Sequence, residues 1–83
     1  MDAPELKTIG NKAFKDCTSL HSMEMPAVEI IDSSAFQNCT GIQHVSSPEL
    51  IVVEDKAFMG CSGLASVDIP SISEIGKAAF CDC

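Results

Sequence analysis

The sequence predicts a repeat solenoid of short parallel strands, with one helical or 3₁₀ turn in each 22-residue coil, stacked about three and a half times. Three observations carry this reading. Ala-Phe recurs at Ala13-Phe14, Ala35-Phe36, Ala57-Phe58 and Ala79-Phe80, and each pair is followed three residues later by Cys17, Cys39, Cys61 or Cys83. Pro4, Pro26, Pro48 and Pro70 fall on the same period, with no insertion or deletion between them. A unit this short cannot bury an apolar face alone, so it must stack on its neighbours.

Counting from each proline gives units 4–25, 26–47 and 48–69 and a partial unit 70–83, read together as a single domain over residues 1–83. Aliphatic columns then line up as Leu6/Val28/Leu50/Ile72, Ile9/Ile31/Val53/Ile75, Leu20/Ile42/Leu64 and Met23/Val45/Val67, with Met25/Ser47/Ile69 less regular. The stretch typified by Leu20 to Met25 ends in period-two alternation and reads as a strand, which the following proline stops. Val28 to Ile31 suits a second extended segment. Ser33 to Asn38 begins with capping-type residues and suits a single helical or 3₁₀ turn. Stacking at the ~4.8 Å inter-strand spacing would set each Phe over the next.

Composition narrows the function classes. With 12 acidic and 5 basic side chains and a formal charge of −7, the chain has no arginine and only scattered lysines. It cannot form the basic stripe that phosphate backbones require, so nucleic acid is not expected as a partner. The longest aliphatic run is Leu50 to Val53, far short of a membrane span, so no membrane insertion is expected. Met1 to Glu5 has neither a basic nor an apolar leader region, and no secretory signal is read there.

The unit resembles leucine-rich repeats of the BspA-like type, which run approximately as aliphatic-x-x-Ile-Gly-x-x-Ala-Phe-x-x-Cys-x-x-Leu-x-x-Ile-x-Ile-Pro. Ile9 to Leu20 and Ile75 to Phe80 match closely, and the resemblance covers residues 4–83. Gly gives way to Asp32 and Glu54 in the middle units, and Ser47 stands where an aliphatic residue is usual. The resemblance implies a non-enzymatic, protein-binding solenoid of the kind found in large surface proteins of bacteria and parasitic protists, used in adhesion or host interaction at the cell surface. It carries over no catalytic residues. A purely structural spacer within a larger protein is the alternative.

Two surfaces are candidates for binding. One is the outward strand row of Glu24, Ser46 and Asp68, beside His21 and Gln43 and beside Ser22, His44 and Ser66. It reads either as a weakly acidic binding face or as a solvated one. The other is apolar: Ile30, Ile51 and Val52 stand where other units have Lys7, Thr8, Glu29, Ser73 and Glu74, and neighbouring coils would bring them together. Asp, Ser and His all occur, but no nucleophile motif supports a hydrolytic triad.

The repeating Cys column reads as small buried hydrophobes. A disulfide ladder would need distortion, because stacked Cβ atoms stay about as far apart as the coils, beyond the ~3.8 Å a bridge prefers. Cys81 and Cys83 are the one local thiol pair. With no Cys-x2-Cys spacing and the two histidines a column out of register, no metal or cofactor is expected. A metal or thiol site at Cys81 and Cys83 is a third reading. The sequence stops mid-coil at Cys83, which points to a fragment of a longer array or to self-association through uncapped ends.

Overall fold

The computed structural model describes residues 6–83, so Pro4, the first proline of the period, and the Met1 to Glu5 stretch lie outside the described residues. The chain winds as a solenoid of 22-residue coils. Each coil gives one two-residue strand and one three-residue strand: β1 Thr8–Ile9, β2 Ser22–Glu24, β3 Ile30–Ile31, β4 His44–Ser46, β5 Val52–Val53, β6 Ser66–Asp68 and β7 Glu74–Ile75. Strands of successive coils pair in parallel, giving a four-stranded sheet β1-β3-β5-β7 and a three-stranded sheet β2-β4-β6. The register follows the sequence period, with Met23 beside Val45 and Val67, and Ile9 beside Ile31, Val53 and Ile75.

Proline makes the corner between the sheets. In Met25-Pro26-Ala27-Val28 the Val28 N–H donates to the Met25 carbonyl, and Leu50 and Ile72 repeat the bond onto Ser47 and Ile69. The ring fixes φ at the second turn position and so sets the bend.

The third side differs from the expected helical or 3₁₀ turn. Residues 11–16, 33–38, 55–60 and 77–82 form turns in which two positions per coil take a left-handed backbone. The first is Lys12, Ser34, Lys56 and Ala78, at φ 57–60°; the second is Asp16, Asn38, Gly60 and Asp82, at φ 61–77°. A left-handed residue breaks a right-handed helix. The reward is in backbone hydrogen bonding, which alternates along the segment. Ala35, Gln37 and Cys39 N–H donate three residues back within the coil, while Ser34, Phe36 and Asn38 N–H donate to Asp55, Ala57 and Met59 of the next. Every N–H from Ser34 to Cys39 is thereby paired, and the turns are stitched into a third ladder.

Inside these three sides the like residues stack. Phe14, Phe36, Phe58 and Phe80 form one column with ring centroids 5.0–5.3 Å apart and planes within 5° of parallel. Met23, Met25, Val28, Ile31, Leu50, Val53, Phe36 and Phe58 are fully buried. Ser47, the exception in its column, is equally buried, and its hydroxyl donates to the Met25 carbonyl at 3.2 Å. The polar departure is therefore satisfied.

Glycine marks the closest approach between coils. A Cβ at Gly41 would lie 2.8 Å from the Leu20 carbonyl oxygen and closer still to that of Thr18. Gly63 meets the Thr40 carbonyl in the same way.

Candidate protein-binding surfaces

The three-stranded sheet gathers one candidate row from separate units. Ser22, His44 and Ser66 are register partners, as are Glu24, Ser46 and Asp68, because a constant 22-residue period places equal positions side by side. Their side chains face outward while Met23 and Val45 face the core. His21 and Gln43 are exposed just before the strands. His44 Nδ1 and Ser66 Oγ share a hydrogen bond at 2.6 Å. Glu24 and Asp68 stand on either side of Ser46, about 10 Å apart at two strand spacings. The row is polar, shallow and carries carboxylates at both ends.

The four-stranded sheet presents the apolar candidate. Ile30 and Val52 are register partners, in a row that begins with Thr8 and finishes with Glu74. Ile30 is 40% exposed and Ile51 43%, with Val52 half-buried beside them. Strict alternation would turn Ile51 and Val52 to opposite faces. Here both of their N–H groups converge on the single carbonyl of Glu29, at 2.9 and 3.2 Å, and the coil before repeats this with Glu29 and Ile30 on Lys7. That irregularity gives the coil two successive outward-leaning residues. The result is a small aliphatic patch rimmed by Lys7, Thr8, Glu29, Ser73 and Glu74, all exposed.

Three of the five thiols, those of Cys39, Cys61 and Cys83, are placed to tie coils together. Cys39 and Cys61 are buried and free, Cys17 is half-buried, and Cys81 and Cys83 are exposed. Each coil's column thiol reaches the preceding coil: Cys39 Sγ donates to the Phe14 carbonyl at 3.0 Å, Cys61 to Phe36 at 3.1 Å and Cys83 to Phe58 at 3.2 Å. Burial pushes the Cys61 thiol up to about 12 and raises Cys39 and Cys83 as well, only partly offset by hydrogen bonds from backbone groups. Such thiols are poor nucleophiles and poor metal ligands at neutral pH. Among the described residues no group of three or more His, Cys, Asp and Glu side chains is arranged to hold a metal ion. No pocket opens among them either, and no helix is long and apolar enough to cross a membrane.

A uniform 22-residue coil with strand, proline corner and Phe and Cys ladders is a narrow pattern, and residues 3–83 match the family model of the BspA type leucine rich repeat region (6 copies). The chain belongs to the BspA-type leucine-rich repeat family. Repeats of this kind are generally non-enzymatic. No curated protein and no solved structure matches the chain. In this BspA-type solenoid the motif positions are spent on the core, which leaves the variable positions between columns as the surface.

Three features escape a reading by columns. The thiol hydrogen bonds follow from the Cys-to-Phe offset of one period plus three residues, but hydrophobic patterning treats cysteine as apolar. The His44–Ser66 bond joins equal positions of successive coils, but a column of unlike residue types does not announce it. Asn38-Cys39-Thr40, embedded in a repeat that already accounts for each of its positions, is a third.

Proposed function

We propose that this BspA-type solenoid binds protein without catalysing a reaction, in cell-surface adhesion or host interaction, with Ile30, Ile51 and Val52 as the centre of contact. The exposure of Ile30 and Ile51 inside a polar rim supports this most strongly, since aliphatic side chains set among charged ones are the form of a small interaction patch. The strand row of His21, Ser22, Glu24, Gln43, His44, Ser46, Ser66 and Asp68 is the accessory surface, suited to a basic partner.

The test is titration of the labelled chain onto intact animal cells and onto a panel of purified extracellular proteins. Replacing Ile51 and Val52 together by Lys should weaken any saturable binding at least about tenfold while the far-ultraviolet spectrum is kept. Unchanged binding removes the patch from the proposal. Loss on Glu24→Lys with Asp68→Lys instead would move the contact to the strand row. A chain that saturates on nothing is a spacer.

Association through the end layers is a second reading. Val67 and Ile75 belong to columns buried elsewhere, yet are 37% and 55% exposed. Sedimentation across a wide concentration range should then show a mass that rises with concentration, and a constant monomer mass would discard it.

A further inference from the structure

We propose that Asn38 is an acceptor for an N-linked glycan. Asn38-Cys39-Thr40 has the asparagine, non-proline, hydroxyl pattern that N-glycosylation reads. The other asparagine, in Asn11-Lys12-Ala13, lacks the hydroxyl, and equivalent positions in the other coils carry Asp16, Gly60 and Asp82. Only the second coil therefore holds the acceptor amide.

The fold leaves that amide accessible. Asn38 and Thr40 are both exposed, and the Thr40 N–H turns back onto the Asn38 carbonyl at 2.9 Å, which keeps the hydroxyl residue beside the acceptor. Asn38 Nδ2 donates to Asp16 Oδ1 at 3.1 Å, its one bond to another side chain, and that bond is itself exposed. On the other side lies Gly60, where any Cβ would collide with Asn38 Oδ1. The amide thus lies along the outside of the turn ladder, with its nitrogen toward solvent and Asp16.

The chemistry balances with a lipid pyrophosphate-linked oligosaccharide as donor. Asn38 Nδ2 bonds to the anomeric carbon as the carbon–oxygen bond to pyrophosphate breaks. The electron pair leaves on the lipid pyrophosphate, and one amide proton passes to a base of the transferase. The product keeps one N–H, enough to continue donating to Asp16. Transfer precedes coil closure, because in the fold Cys39 is buried and Asn38 sits at φ 62°, away from the extended form a transferase can thread. Native glycosylation rests on the surface location proposed above, but acceptor competence does not.

Secretion of the full chain behind a cleavable signal peptide from a eukaryotic host, followed by intact-mass measurement, tests the proposal. The expected result is a mass increment of one oligosaccharide, removed by an N-glycan amidase that leaves aspartate at position 38. Asn38→Asp should abolish the increment, with some loss of stability because it sets a second carboxylate beside Asp16, and Thr40→Ala, which leaves that Asn38–Asp16 bond in place, should abolish it too. Thr40→Ser should keep it. Secretion of the unmodified mass, or an increment that survives Asn38→Asp, overturns the proposal. Neither result bears on the Ile51 and Val52 surface, whose binding is read on the Asn38→Asp chain.

Discussion

Cys61 shows how much a single side chain does in this repeat. Its sulfur fills a fully buried slot and its S–H donates to the Phe36 carbonyl one coil back, so one atom both packs and ties two coils together. Cys61→Ala should cost about 1–3 kcal/mol, the sum of a small cavity and a lost buried hydrogen bond, measured by urea unfolding. The same burial sets a pH dependence. The thiol titrates near 9 when free and near 12 in the fold, so the folded state holds its proton where the unfolded state has released it. Stability is thus fully present below pH 9 and falls as pH rises from about 9 toward 12. Cys61→Ala should flatten that decline, and an unchanged slope would assign it to other groups. The burial of this column is legible in the sequence from its period alone. The hydrogen bond is not, because it depends on which carbonyl the coil spacing brings beneath the sulfur.

The turn segment is the element in which sequence and structure part. Its period and polarity are plain, but a run such as Ser33-Ser34-Ala35-Phe36 carries no glycine to announce a left-handed residue. The clue lies in the second left-handed column, where Asp16, Asn38, Gly60 and Asp82 are the residue types that tolerate this backbone. The first column, with Lys12, Ser34, Lys56 and Ala78, gives no such sign; at Lys12, Ser34 and Lys56 a backbone hydrogen bond to the next coil holds the conformation. Ala78 bears the strain with no side-chain compensation, and Ala78→Gly should raise stability by about 0.5–1 kcal/mol, relief of the Cβ clash outweighing the added freedom of the unfolded chain. Gly41→Ala should do the reverse. With two carbonyls of the coil behind it inside contact distance, the added methyl must push coils apart, at about 1–3 kcal/mol, and thermal unfolding would register both shifts. The strands, by contrast, follow directly from the alternation around Met23, Val45 and Val67, and the apolar patch at Ile30 and Ile51 is visible as a departure from the polar residues of its columns. Its doubling at positions 51 and 52 depends on the shared Glu29 carbonyl, which no pattern of side chains encodes.

Across the whole molecule every ladder repeats with the same offset, so each coil's partners are its immediate neighbours. Stability should accordingly rise with coil number. Inserting a second copy of residues 26–47 after Ser47 keeps all registers and should raise the melting temperature and steepen the urea dependence, as added buried surface requires. A melting temperature unchanged by the insertion would mean that the coils do not share one cooperative unit. The same stacking has a mechanical side. Tension applied between the chain ends acts along the direction in which coils are piled, so it peels bonds one layer at a time and does not shear a whole sheet at once. Each coil released would pay out 22 residues of extended chain, about 75 Å, against the ~5 Å it occupied in the pile. Under load such a segment lengthens in quanta, limiting the force on whatever is fixed to its ends.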